Sequence, residues 1–256
     1  MCLILFAWRQ HPDYPLILAA NRDEFYDRPT APAAFWPDSP HIFAGRDLVG
    51  QGTWLGLSRS GRLAALSNFR DPSERGRKGR SRGLLVADFL QESGPVEAGL
   101  EKIARQRNNY RSFNLLAGAP LDLFFYSSRE NLIRSLPPGI YGLSNHLLDT
   151  PWPKVVRGKA ALAKLLEQGG KPSISDLFAL LSDTRRAPDH LLPDTGVGLE
   201  WERTLSPLFI VSPSYGTRSS TVLLIDRYAS ATYIERTFRR SPECWREVRQ
   251  ELLPET

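Results

Sequence analysis

Residues that ligate metals or form cross-links are scarce: two cysteines, one methionine and four histidines in 256 residues. Cys2 and Cys244 lie at opposite ends with no metal-ligand spacing, and His11, His41, His146 and His190 are scattered. A zinc module, a disulfide framework and a haem-ligation motif are therefore not readable, and a reduced, cytoplasmic location is the expectation. Long apolar runs are also missing. The stretch after Met1 has no basic segment before it and stops at Arg9, which fits neither a signal peptide nor a membrane span. There is no internal repeat and no obvious linker. With 41% hydrophobic residues, the chain can bury one large core, so a single domain over 1–256 is expected.

Charge is present, but unevenly. Of the net +5, a surplus of four falls within residues 70–82, where Arg70, Arg75, Arg77, Lys78, Arg80 and Arg82 face Asp71 and Glu74. Pro72, Gly76 and Gly79 mark this segment as an exposed loop. A solvated loop is the plain account. The functional alternative is an electropositive lid in which Arg75, Arg77, Lys78 and Arg80 take an anionic ligand, such as a carboxylate, a phosphate group or a porphyrin propionate. Nucleic acid is not an expected partner, because no other basic stripe with interleaved aromatics occurs.

Cys2 carries the sharpest chemical signal. Loss of Met1 would give one residue both a thiol and a free α-amine, with ordinary pKa values of ~8.5 and ~7.7 to 8.0, close enough to exchange a proton near neutrality. The apolar runs Cys2 to Trp8 and Pro15 to Ala20 flank the turn-rich His11-Pro12-Asp13-Tyr14 and read as a hairpin covered on both faces. A turn centred between Pro12 and Asp13 sets Cys2 opposite Asp23, where a carboxylate can orient the α-amine. Asn21-Arg22-Asp23-Glu24 then ends the strand, bringing two carboxylates and a guanidinium to the candidate nucleophile.

Alternating blocks of strands and helices follow. The pattern predicts a hairpin over Thr53 to Leu57 and Leu63 to Asn68, a helix capped by Ser81 to about Gln91, and another over about Val96 to Asn108. Strands are expected at Phe113 to Gly118, Leu121 to Tyr126, Asn131 to Ser135 and Ile140 to Asn145. A helix opened by Thr150-Pro151 and one capped by Ser173 come next. Strands at Leu208 to Val211, Thr221 to Asp226 and Thr232 to Phe238 precede a terminal helix from Ser241-Pro242. Segregated blocks argue for α+β layers rather than a doubly wound sheet. Asp183 to Ser206 lacks a period and reads as a lid in which Glu200-Trp201-Glu202 closes over a pocket. Asn68, Asn145 and Arg218 sit at strand ends, where an active site draws its groups. An asparagine N–H aimed at a developing oxyanion is worth ~2.7 to 4 kcal/mol.

Met1-Cys2, Ala20-Asn21-Arg22-Asp23-Glu24, Thr53-Trp54-Leu55-Gly56, Ala65-Leu66-Ser67-Asn68-Phe69, Tyr141-Gly142-Leu143-Ser144-Asn145 and Tyr215-Gly216-Thr217-Arg218 together resemble the transport and Golgi organisation protein 2 family, also called the NRDE family after its tetrapeptide. The resemblance runs in order from residue 1 to about 240. It implies an N-terminal nucleophile hydrolase-like fold: a four-layer αββα sandwich of two stacked, mainly antiparallel sheets between helical layers. For the animal members it also implies a link to Golgi organisation and haem trafficking. Penicillin V acylases and bile salt hydrolases are similar in order, and that similarity implies catalytic roles for Cys2, Asp23, Asn68, Asn145 and Arg218. Their arginine lies a few residues before the aspartate, whereas Arg22 is adjacent to Asp23 here, so Arg22 is grouped with the ligand-binding cations. Two functions are therefore expected in competition. One is hydrolysis of an amide, ester or thioester through an acyl-Cys2 intermediate. The other is carriage of haem or a related amphipathic anion, with haem a ligand and no cofactor required.

Overall fold

Strands that are apolar at every position must be covered on both faces, and the fold supplies that cover. The computed structural model describes residues 2–74, 76–119 and 122–253, with Cys2 described through its backbone. The strands are β1 (Cys2–Trp8), β2 (Leu16–Phe25), β3 (Thr30–Trp36), β4 (Ser39–Asp47), β5 (Leu55–Ser58) and β6 (Leu63–Asn68). Helices α1 (Gly83–Gln91) and α2 (Val96–Arg105) precede β7 (Phe113–Ala119), β8 (Asp122–Ser127), β9 (Leu132–Ser135) and β10 (Gly139–Leu143). After α3 (Pro153–Glu167), α4 (Ile174–Leu181) and α5 (Leu199–Leu205) come β11 (Tyr215–Ile225), β12 (Ala231–Phe238) and β13 (Trp245–Leu252).

Two antiparallel sheets result, a six-stranded one in the order β10-β1-β2-β11-β12-β13 and a seven-stranded one in the order β3 to β9. The period of two sorts each strand between layers. Ile4, Phe6 and Leu18 face the other sheet and meet Phe43, Leu57 and Phe125. Leu3, Leu5 and Ile17 face outward and are covered by Leu162, Phe178 and Leu181 from α3 and α4. On the far side, Leu85, Phe89 and Leu100 of α1 and α2 cover Ala64, Leu66 and Leu115. The four-layer αββα sandwich is thus present. At ~25 cal/mol per Å² of apolar surface, each fully buried Leu or Phe contributes ~1.5 to 3 kcal/mol.

Several sequence expectations fail for identifiable reasons. The first hairpin is offset by one residue: Cys2 pairs with Arg22, not Asp23, and Trp8 with Leu16. The seven-residue turn closes with Arg9 N–H donating to the Pro15 carbonyl at 2.7 Å, so its centre is Pro12 itself, and Arg9 takes φ 51° to make it. The expected terminal helix is β13, which folds back on β12 in register from Phe238–Trp245 to Ala231–Leu252. Leu208 to Val211 is no strand beyond one isolated bridge, Val211 to Gly216. β3 and β4 fall where no strand is expected; Pro32 is tolerated because β3 is an edge, and Pro40 because β4 starts only at Ser39. Arg82, not Ser81, is the α1 N-cap, and α2 ends at Arg105. α3 begins at Pro153, two residues past the expected Pro151, whereas the Ser173 cap of α4 is present, its hydroxyl accepting from Asp176 N–H.

Candidate functional site

The NRDE tetrapeptide occupies the end of β2, and burial persists to Asp23 although the apolar run ends at Ala20. Each residue has a different task because alternation sends it to a different layer. Asn21 faces the helical layer, where its Nδ2 donates to the carbonyls of Leu181 at 2.9 Å and Leu208 at 2.8 Å while Oδ1 accepts from Ser220 at 2.5 Å. It is a structural pin, tying the α4 end to the sheet. Arg22 faces inward, stacked 4.3 Å over Trp54, donating to Thr30 Oγ1 at 3.1 Å and Asp47 Oδ2 at 3.2 Å. Trp54 fits there because position 45 is glycine: a Cβ on Gly45 would lie 2.4 Å from the indole. Asp47 is the hub of this corner, also taking Arg28 Nε at 2.6 Å and the backbone N–H groups of Val49 and Gly50. These charge-assisted bonds hold its carboxyl below the usual range despite burial.

Asp23 is fully buried, and its Oδ1 accepts from Thr217 Oγ1 at 2.7 Å. The same hydroxyl accepts from Ile210 N–H at 2.9 Å, so its proton is committed to Asp23. Burial raises the Asp23 pKa, and Lys154, Thr217 and Arg22 oppose that rise. Lys154 is buried in the first turn of α3. A lysine there runs against the helix dipole, and that conflict was the available sequence signal for a nearby acid.

These groups open onto a cleft of about 950 Å³. Arg22, Asp23, Trp54 and Asn68 line its interior, and Arg77, Lys78, Arg80 and Arg111 line its basic side. An aromatic wall faces them, with Tyr215 in edge contact with Phe25 at 5.1 Å and Trp201 at 5.9 Å. Seven arginines and lysines against three carboxylates make the lining electropositive.

Of the expected site residues, Arg22, Asp23, Asn68, Arg77, Lys78 and Arg80 line the cleft, and the backbone of Cys2 pairs with Arg22. Asn145 and Arg218 do not line it. Asn145 is fully buried and its Nδ2 donates to the Asn68 carbonyl at 2.9 Å. Arg218 lies inside β11, not at its start, at a break in register between Thr217 and Ser219, and donates to the carbonyls of Phe25 and Arg28. Arg75 lies outside the described residues. Arg70 leaves the basic loop altogether: its nearly buried guanidinium stacks on Trp152 at 4.7 Å and bonds Glu202 at 2.7 Å. That pair anchors α5, and Trp201 beside it lines the cleft. Asp47, Arg28, Thr217 and Lys154 are not legible in the sequence, since each depends on a contact distant in sequence, and Arg111 joins the cleft lining from outside the basic run.

The profile of the family described as Transport and Golgi organisation 2 matches residues 1–240. Among similar curated proteins, the bovine Transport and Golgi organization protein 2 homolog is 38% identical, covering 96% of either chain. The human homolog is 37% identical over 93% of either chain, and the Drosophila melanogaster protein is 31% identical over 93% of this chain and 92% of its own. A solved structure of a mutant conjugated bile acid hydrolase from Clostridium perfringens superposes with a TM-score of 0.57 at 10% identity, covering all of this chain and 94% of that one. That likeness concerns the fold, which is hydrolase-like. No helix among the described residues is long and apolar enough to cross a membrane. On the near-complete match in sequence, the chain belongs to the Transport and Golgi organisation 2 family.

Proposed function

We propose that this protein is an N-terminal cysteine hydrolase acting on an amide, ester or thioester bond of a small acyl substrate. One observation carries the reading: the buried Asp23 carboxylate lines the cleft one position past Arg22, the register partner of Cys2. In an antiparallel pair, the residue beyond a partner flanks the chain end, where the α-amine of Cys2 stands once Met1 is removed. In this reading Asp23 keeps the role of orienting the α-amine, now from the position next to Cys2's register partner.

The reaction follows from these roles. The α-amine takes the thiol proton, and the thiolate attacks the substrate carbonyl carbon. The oxyanion is held by the Asn68 side-chain N–H groups, which make no hydrogen bond to the protein among the described residues. Collapse expels the leaving group with the proton from the amine, and water then releases the acid from acyl-Cys2 by the same proton route. Asn145 positions Asn68 through its carbonyl, and Arg218 holds the turn after β2. The rim cations Arg77, Lys78 and Arg80, with Arg75 of the same loop, favour an anionic group on the substrate.

A carrier for haem or a similar amphipathic anion is the second reading, favoured by cations facing an aromatic wall. No histidine lines the cleft among the described residues. A porphyrin cargo would thus be held by ion pairs from its propionates to Lys78 and Arg80 and by contact with Trp201. One mixed experiment separates the two. Short activated esters or amides should add an acyl group to Cys2, read as an intact-mass shift, while ferric haem leaves the spectrum unshifted. A saturable Soret shift near one equivalent with no acyl adduct would replace the hydrolase by the carrier.

A further inference from the structure

The free edges of the two sheets are not alike. β9 has four residues, β10 has five and lies against α3, and β3 carries Pro32 and two register breaks. Short length, proline and bulges are the usual means of blunting an edge. β13 has none of these three and carries charged side chains instead: it runs eight residues in unbroken register with β12, and among the described residues no strand pairs its other side.

Hydrogen-bond alternation says which groups of β13 point outward. Arg239 N–H donates to the Cys244 carbonyl at 3.2 Å, which makes 239 and 244 a hydrogen-bonded pair. Stepping by two, residues 246, 248, 250 and 252 spend their backbone groups on β12. Asp226 N–H to the Ser230 carbonyl at 2.9 Å gives the same phase from the β11 side, leaving 231, 233, 235 and 237 to face β13. Trp245, Glu247, Arg249 and Glu251 therefore present their N–H and C=O groups outward.

A two-fold partner must pair outward residues with outward residues. Centring the axis on Glu247 sets Glu247 against itself. Centring it on Arg249 sets Arg249 against itself and Glu247 against Glu251. Centring it on Gln250 uses only residues 248–252 of the strand and leaves Glu247 facing Leu253. Centring it on Val248 uses residues 245–251 and places Glu247 opposite Arg249 twice. Val248 packs partly buried against the inter-sheet core, so its meeting with its own copy continues that core across the axis. On the other face Glu247 is pre-oriented by Arg236 Nε at 2.8 Å, whose guanidinium also covers Trp245 at 4.0 Å.

We propose that β13 is a self-association edge: two copies of this chain pair antiparallel about Val248 and join their six-stranded sheets into one. No β13 residue lines the cleft, so assembly and chemistry are separable. The partner is a second copy because the outward charges complement themselves in this register. Cross-strand opposite charges stabilise such a pair and like charges oppose it.

The test is sedimentation of the full chain over ~1 to ~100 μM, a range that brackets micromolar association. The wild type should dimerise. Arg249→Glu sets Glu247 against a glutamate, Glu247→Arg sets Arg249 against an arginine, and each variant alone should weaken association about tenfold or more. Mixed in equal amounts, the two variants restore both opposite-charge pairs and should form a heterodimer of wild-type affinity. Because that recovery needs both variants folded, it separates loss of the interface from loss of the hairpin. A monomeric wild type, a dimer unaffected by either reversal, or no heterodimer on mixing would overturn the proposal.

Discussion

Two carboxylates of the six-stranded sheet are fully buried, and their surroundings differ in kind. Asp23 lies near the end of β2 at the cleft, held by Thr217 with Lys154 and Arg22 nearby. Glu235 lies in β12 between the sheets, where Oε1 accepts from Ala33 N–H at 2.8 Å and Oε2 has no hydrogen-bond partner among the described residues. Burial pushes Glu235 up to about 7, with Ala33 and Arg22 only partly opposing it. Both are desolvated acids, yet only Asp23 adjoins space for a substrate. Burial alone therefore does not mark a site: a cleft, a nucleophile and opposing charges must coincide.

If Asp23 serves chemistry and Glu235 serves the junction of the sheets, substitutions should divide cleanly. Asp23→Asn should slow acylation of Cys2 by ~10² to 10⁴, the range for a positioned proton-transfer group, with circular dichroism unchanged. Glu235→Gln should leave acylation within a small factor. Equal kinetic losses in the two variants would break the comparison.

A third buried carboxylate, Glu202, sharpens it because it is fully partnered by Arg70 and Thr195. Glu202→Ala leaves the Arg70 guanidinium uncompensated and should cost about 3–5 kcal/mol in denaturant unfolding. It should also free α5, so that Trp201 fluorescence loses its response to cleft ligands. A cost below about 1 kcal/mol would show that this pair does not fasten α5.

Glu235 carries a smaller effect with a definite sign. Its folded pKa is raised, so its contribution is fully present below about 4.5 and is lost as pH rises through about 7. The gap corresponds to about 3 kcal/mol. Glu235→Gln should therefore remove a decline in stability seen in the wild type between those values, gaining most at pH 8 and little at pH 4. Parallel stability curves for the two proteins would refute the buried acid. The smallest effect belongs to the rim: Lys78→Ala with Arg80→Ala should weaken an anionic substrate several-fold at low salt and hardly at all at high salt.

What the sequence revealed, and what it did not, follows the range of the interactions involved. Continuous apolar runs at Cys2 to Trp8 and Pro15 to Ala20, and segregated blocks of strands and helices, suffice for layered sheets. The polar break at Asn21 to Glu24 and the cations at 77–80 point to the cleft because composition records them. The register of the first hairpin was lost to one turn residue, Arg9, adopting positive φ. Ser241-Pro242 resembles a helix start, yet the alternation that follows it suits the strand β13 forms. Asp47, Thr217 and Lys154 each act on a partner 25 or more residues away, which no local pattern encodes.

The central claim is that Cys2, freed as the chain's first residue, is a nucleophile whose amine is oriented by Asp23. Brief treatment with a mild alkylating agent, followed by peptide mass mapping, compares Cys2 directly with the exposed Cys244 of the same molecule. The account predicts that Met1 is absent, that Cys2 is labelled faster than Cys244, and that Asp23→Asn removes the difference. Equal labelling of the two cysteines in the wild type, or a retained Met1 in material that still acylates, would contradict it.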